Sequence, residues 1–250
     1  MRTVAIVQAR MGSTRLPGKV LMDIEGKPTL QRVVERIRRA RRVDEVVVAT
    51  SDLPADDAIE RFCEDLGVAC FRGSEGDVLD RYHGAAEKHD ADVVVRITSD
   101  CPLLDPEVVD EVIAAFHEGG CDYAANCRME VTYPDGLDTE VFSRAALERA
   151  WSEARLHSER EHVTPYIWNH PDRFALRLVR NDRDLSALRW TLDEPDDLAA
   201  IRAVYAELGG DRAFGMGEVL DLLARRPELA ALNAHIAANA GYLKSLEEDA

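Results

Sequence analysis

Short β-branched runs alternate with stretches whose apolar positions recur every three or four residues through the first half of the chain. Thr3 to Val7, Glu45 to Ala49, Val68 to Phe71 and Asp92 to Ile97 read as strands, and Thr29 to Ala40, Ala55 to Leu66 and Asp77 to His89 as helices. A further helix, Pro106 to His117, has Asp105 placed to cap it and Pro106 at its first position. This alternation predicts an α/β fold, a Rossmann-like and mostly parallel sheet flanked by helices on both faces. From Gly119 the rhythm loosens: Cys121 to Asn126, Leu137 to Phe142 and Phe174 to Val179 read as strands, with helices over Ser143 to Arg155 and Glu159 to Asn169. Pro195 to Leu208 and Gly217 to Asn239 look helical. With no low-complexity linker and no repeat, the expectation is one domain over 1–250, in which 120–180 forms a substrate-side or dimerisation element and 195–250 a helical tail.

Composition narrows the function. In 250 residues, 47 Asp and Glu face 31 Lys and Arg, a net charge of −16, which argues against nucleic acid or an anionic membrane as partner. The charge is uneven: residues 1–42 hold 11 Lys and Arg against 3 Asp and Glu, a local +8, and the remainder carries −24. An anion site is therefore expected near the N-terminus. No apolar run approaches the roughly 20 residues that span a bilayer, and no secretion signal is visible, so a cytoplasmic protein is expected. The five cysteines are odd in number and lack a CxxC, which reads as reduced thiols. Cys101 stands apart because it adjoins a candidate site.

The basic excess points to one loop. After the first strand comes Gln8 to Lys19, with Gly12 and Gly18, the hydroxyls of Ser13 and Thr14, and the cations Arg10, Arg15 and Lys19. Glycines admit backbone amides to phosphate oxygens, hydroxyls donate, and the cations offset charge, a composition suited to a triphosphate. It is neither a Walker loop, because five residues separate Gly12 from Gly18 and Val20 follows Lys19, nor the dinucleotide fingerprint GxGxxG. The arginine run from Arg36 to Arg42 reads instead as a solvated helix end that complements the helix dipole.

The segment Ala9-Arg-Met-Gly-Ser-Thr-Arg-Leu-Pro-Gly-Lys19, followed by Leu21-x-Asp23-Ile24-x-Gly26-Lys27-Pro28, resembles the signature of the CMP-sugar synthetases, the cytidylyltransferases for 3-deoxy-manno-octulosonate and acylneuraminate. Arg72 to Val78, Thr98 to Pro102, Pro134 to Asp138, Arg160 to Tyr166 and Asn239 to Leu246 are similar to the branch named for spore-coat polysaccharide synthesis protein F. The resemblance implies a nucleotide-diphospho-sugar transferase fold, GT-A-like. It also implies transfer of CMP from CTP to a sugar acid with release of pyrophosphate, Mg²⁺ as cofactor, and a homodimer, for which Val131, Tyr133 and Trp168 are candidate contacts.

Attack of a hydroxyl on the α-phosphorus of CTP asks for in-line positioning and charge neutralisation more than for a strong general base. Asp100 follows the strand ending at Ile97, where α/β folds bind ligands. In the resemblance Asp100 and Asp193 are the Mg²⁺ ligands, although Asp193 on its own reads first as a helix cap, with Asp196 and Asp197 in the first turn. Lys19 and Arg10 are assigned to the α- and β-phosphate charge, and Ala9, Gly12, Ser13 and Arg15 to nucleotide contact. The base is expected near Arg72 to Asp80, with Gly73 and Ser74 beside it, and Thr98 nearby. Where the octulosonate enzymes carry Gln-Gly-Asp, this chain has Thr98-Ser99-Asp100. Asp138, Glu140, Arg160 and His162 are candidates for the acceptor, in a region made acidic by Asp135, Glu159 and Glu161. His83, His89, His117 and His157 have no partner pattern and read as structural or exposed.

Two other readings compete. A glycosyltransferase that consumes a nucleotide sugar would hold its metal with Asp-x-Asp after a strand, but Asp90-Ala-Asp92 precedes its strand and Asp182-Arg-Asp184 lies in a polar stretch. A non-catalytic nucleotide-binding module is disfavoured by the coincidence of Lys19, Asp100 and Asp193.

Overall fold

The apolar run Val4 to Val7 is wholly buried, as a strand covered on both faces must be, and it forms the middle of β1 (Thr3–Gln8). The computed structural model describes residues 1–128, 130–237 and 240–249. After the basic loop comes a short hairpin, β2 (Asp23–Ile24) and β3 (Lys27–Pro28), which the sequence pattern did not reveal. Its turn places Glu25 and Gly26 at φ of 50° and 83°, the left-handed pair that tight hairpins require. The chain continues through α1 (Thr29–Ile37), β4 (Glu45–Ser51), α2 (Asp57–Leu66), β5 (Ala69–Gly73), α3 (Val78–Lys88), β6 (Val93–Thr98) and α4 (Pro106–His117). Each of these lies within about two residues of its predicted position at most boundaries. Asp105 caps α4 as expected, accepting from the Glu107 amide at 2.7 Å.

The second half supplies β7 (Tyr123–Ala125), β8 (Glu140–Ser143), α5 (Arg144–Glu153), α6 (His157–His162), α7 (Pro165–Trp168) and β9 (Leu176–Leu178). The expected continuous helix from Glu159 to Asn169 is two helices, broken where Val163 takes φ 72°. Then follow α8 (Pro195–Leu208), α9 (Met216–Arg225), α10 (Pro227–Ala231) and α11 (Ala240–Glu248). The expected helix from Gly217 is interrupted at Arg226, before Pro227, and its far end at Asn239 lies outside the described residues.

The seven-stranded sheet runs β5-β4-β1-β6-β8-β7-β9. β1 pairs in parallel with both β4 and β6, while β8 is antiparallel to β6 and to β7. Alternate residues feed two cores: Ala5, Val7, Val46, Val48, Val95 and Ile97 face one, and Val4, Ile6, Val47, Ala49 and Val94 the other. This is the α/β architecture predicted. The chain leaves β1 toward β4 and returns to β6 on its other side, so the carboxyl ends of β1 and β6 flank a topological switch point, where such sheets open a ligand crevice.

Three surface expectations change. Arg36 is buried, with its guanidinium donating to the carbonyls of Leu104 and Phe214 at the α9 side, so only the rest of that arginine run meets solvent. Tyr133 is buried, and Trp168 packs edge-on against Tyr242, so of the three candidate dimer contacts only Val131 is exposed. The cysteines are all free, and Cys63, Cys101 and Cys127 are buried. Among the described residues no helix is long and apolar enough to cross a membrane.

Candidate active site

A cavity of about 530 Å³ opens at the switch point. Its floor is the loop after β1, with Ala9, Arg10, Ser13, Arg15 and Lys19, together with Thr98 at the end of β6, Asp100 just after it and Asp193 before α8. The loop is tied down from within: the Met11 carbonyl accepts from the amides of Ser13 and Gly18, Gly18 sits at φ 72°, and the Met11 amide donates to Asp56 at 2.7 Å. The Ser13 hydroxyl oxygen accepts from the Leu16 amide at 3.2 Å, which leaves its proton free to donate. The amides of Thr14 and Arg15 donate to no protein acceptor among the described residues. Fixed, unused donors beside three cations are the makings of a phosphate cradle.

Lys19 is the centre of this arrangement. Its Nζ lies 2.7 Å from Asp100 Oδ2, 2.8 Å from Asp193 Oδ1 and 2.9 Å from the Leu192 carbonyl. Two distant parts of the chain, at residue 100 and at residues 192–193, thus place three oxygens around one cation from a third. Burial opposes both charges, but the ammonium holds the Asp100 carboxyl down at about 2, and the two carboxylates hold Lys19 above its ordinary value. Arg15 adds a second contact to Asp193 at 2.9 Å. Lys19→Ala is expected to lower kcat/KM by about 100-fold, with KM for the nucleotide raised, which pyrophosphate-release kinetics would show.

Behind Asp193 stands Arg189, which sequence reasoning missed. The residue is 9% exposed, and its guanidinium binds Asp135 at 2.9 Å, Asp193 at 3.1 Å, and Asp197 at 2.9 and 3.0 Å. Asp197, completely buried, also accepts from the amides of Asp193 and Glu194, so it caps α8 and fixes the turn that aims Asp193. The signal available was an arginine inside the apolar run from Leu188 to Leu192. Gly136, at φ 108°, lets residues 134–138 lie against the Trp190–Thr191 backbone, where a Cβ would come within 2.6 Å. Asp135 and Asp138 are carried there, and burial first, with neighbouring carboxylates adding, pushes them up to about 6 and about 7.

The far wall of the cavity comes from α6 and α11, through His157, Glu161, His162, Lys244, Ser245 and Glu248. His162 Nε2 lies 2.9 Å from the Ser245 hydroxyl, and burial, with Arg96 next in effect, lowers the imidazole to about 4, so it is neutral at physiological pH. His157, expected to be structural or exposed, lies on this wall, 3.1 Å from Glu248.

Other expected contacts lie elsewhere. Glu140 is 1% exposed and belongs to the core: Tyr123 and Thr164 hydroxyls each donate to it at 2.6 Å, with Arg128 at 3.3 Å and Arg96 opposite it across the β6–β8 pair. Arg160 grips both oxygens of Asp77, the cap of α3, and the Trp151 carbonyl, so it joins α6 to α3. Asp138, Gly12, Gly73 and Ser74 also lie outside the cavity lining. The Asp-x-Asp candidates are remote from it: Asp92 accepts from the Arg2 amide at the opposite end of β6, and Asp184 holds Ser186.

Residues 4–204 match the family model described as Cytidylyltransferase. The chain belongs to the cytidylyltransferase family. It is 36% identical over 232 residues to the Bacillus subtilis spore coat polysaccharide biosynthesis protein SpsF, covering 90% of this chain and 95% of that one. A 3-deoxy-manno-octulosonate cytidylyltransferase of Anaeromyxobacter sp. strain K is 35% identical over 246 residues, 82% of this chain and 99% of the relative. Among solved structures, a cytidylyltransferase from Leptospira borgpetersenii superposes with a TM-score of 0.86 at 32% identity, covering 92% of this chain and 97% of that one. Membership makes the protein a nucleotidyltransferase.

Proposed function

We propose that this cytidylyltransferase transfers CMP from CTP to an ulosonic or nonulosonic sugar acid, releasing pyrophosphate, for surface polysaccharide or glycoconjugate synthesis. The observation that carries this reading is Lys19 bridging Asp100 and Asp193 at the switch point, with Arg10, Ser13 and Arg15 beside it. The relatives' names supply the acceptor class: one acts on an octulosonate, another serves spore-coat polysaccharide synthesis.

The residues fit a divalent cation. Three hard oxygens, from Asp100, Asp193 and the Leu192 carbonyl, already converge on a positive charge. Among the described residues no three His, Cys, Asp or Glu side chains form a metal group, and Mg²⁺ commonly takes one or two carboxylates with substrate phosphates completing its shell. Asp100 and Asp193 would hold Mg²⁺, which when bound supplies charge neutralisation at the phosphates and acidifies an acceptor hydroxyl.

The chain's own part is positioning. Arg10, Arg15, Lys19 and the loop amides hold the triphosphate, and Arg189 with Asp197 keeps Asp193 in place. The acceptor lies toward α6 and α11, where its hydroxyl oxygen attacks the α-phosphorus in line, the bond to the pyrophosphate oxygen breaks, and the hydroxyl proton passes to solvent. His162, neutral and held by Ser245, lines that side.

Purified protein with CTP and Mg²⁺, offered a panel of sugar acids, is expected to release pyrophosphate in step with a CMP-sugar. Consumption of a UDP- or CMP-sugar with no pyrophosphate from any nucleotide would overturn the reading in favour of a glycosyltransferase.

A further inference from the structure

One side of α1 is charged: Arg32, Glu35, Arg36 and Arg39 recur at the three- and four-residue spacing that places them on a common face. Against that face lies the turn between α8 and α9, with Asp211 and Arg212. Together with Lys27 and Tyr205 these residues line a cavity of about 130 Å³ that shares no residue with the cavity at the switch point. Its charges do not cancel. Lys27 takes up both carboxylates, 3.1 Å from Glu35 and 3.1 Å from Asp211, and Arg32 spends its guanidinium on the carbonyls of Ile24, Glu25 and Gly210. Among the described residues Arg36, Arg39 and Arg212 form no ion pair with a carboxylate. Arg36 is 4% exposed, stacks over the Phe214 ring at 4.5 Å and donates to the carbonyls of Leu104 and Phe214. Burial, the largest influence on it, lowers its pKa. The nearest carboxylates are engaged as helix caps, Asp105 by the amides of Glu107 and Met216 and Glu218 by the Gly215 amide. A buried guanidinium without a counter-charge is costly unless a ligand supplies one.

We propose that this cavity is a second anion site, which takes a phosphate group between Arg36, Arg39 and Arg212. Its size argues for a small ligand, because pockets that enclose whole organic molecules run to about 300–1,000 Å³. Its chemistry argues for a tetrahedral oxyanion, since a guanidinium presents its N–H donors as a planar fork that phosphate oxygens meet in pairs. In a chain of net charge −16, Lys27 and four arginines against two carboxylates concentrate positive charge where anions are otherwise repelled. The site also connects to the reaction. Arg36 holds the Leu104 carbonyl, and the Tyr205 hydroxyl donates to the Pro102 carbonyl at 2.6 Å, so two residues of the cavity wall grip the turn that follows Asp100. A bound phosphate braces that turn through Arg36. The arginine run at the end of α1 thereby gains a use beyond complementing a helix dipole.

The test is calorimetric titration, without metal, of inorganic phosphate, glycerol phosphate and acetate into Lys19→Ala, whose weakened cradle leaves this cavity the stronger phosphate site, and into Lys19→Ala/Arg39→Ala/Arg212→Ala. Arg39 and Arg212 are exposed and lie outside the reaction cavity, so their replacement in the otherwise parental protein is expected to keep circular dichroism and pyrophosphate release unchanged. Phosphate should bind Lys19→Ala and bind the triple variant at least about 10-fold more weakly, the scale for losing charged hydrogen bonds. Tighter binding of phosphate than of glycerol phosphate would identify the free ion as the ligand, and the reverse order a phosphomonoester; either supports the site. Equal phosphate affinity in the two variants, no phosphate binding to Lys19→Ala, or acetate binding as tightly as phosphate would overturn it. Hydrogen exchange over residues 101–104 should slow in phosphate for Lys19→Ala and not for the triple variant, and unchanged exchange in Lys19→Ala would overturn the brace. No nucleotide or acceptor enters these titrations, so they stand apart from the proposed reaction.

Discussion

Asp100→Asn is expected to lower kcat/KM by about 1,000-fold, the upper range for removing one preorganised electrostatic group from a reacting centre. The amide keeps the size and much of the hydrogen bonding of the carboxylate but loses its charge. Lys19 would still hold Asp193 and the Leu192 carbonyl, so the loop keeps its anchor and the loss of stability should stay at about 1–2 kcal/mol. Pyrophosphate release measured alongside circular dichroism separates the two effects. Parental turnover in a folded Asp100→Asn protein would remove Asp100 from the chemistry.

The opposite pattern, a large loss of stability, is expected at Glu140. Its carboxylate is buried among Arg96, Arg128, Tyr123 and Thr164. Burial alone would raise its pKa, but Arg128 first and then Arg96 hold it down at about 2. Glu140→Gln leaves two guanidiniums with a neutral partner inside the sheet, and breaking a buried pair on one side costs about 3–5 kcal/mol. For a chain of this size that is a drop in Tm of roughly 10 °C. Because the folded pKa lies below the unfolded one, the stabilisation is present above the ordinary glutamate value and fades as pH falls from there toward 2. Stability of the parent should therefore decline over that acid window, and the variant should decline less steeply. A variant with parental Tm, or an unchanged acid slope, would show that the network contributes little.

The contrast between these residues marks what could be read from the chain. The basic loop was legible because glycine, hydroxyl and cation coincide directly after a buried strand, and Asp100 because it follows another. Resemblance brought in Asp193, and the structure seats all three together. The helices and parallel strands of the first half were legible because each repeats its apolar period several times over. Glu140 and Arg160 were not, since their roles depend on partners far along the chain, among them Arg96 across a strand pair and Asp77 at a helix cap. Neither pairing leaves a periodic trace.

The wall that α11 lends to the cavity has a bearing on how the protein is made. Ribosomal synthesis delivers the loop of residues 8–19 more than 200 residues before α11 at residues 240–248, and domains acquire structure in that same direction. A nascent chain that already has its sheet, from β1 through β9, still lacks the helix whose Ser245 meets Glu161 and His162. Enclosure of the site thus waits until α11 has been made, and chains that stop before it would carry an open cleft in place of a walled pocket.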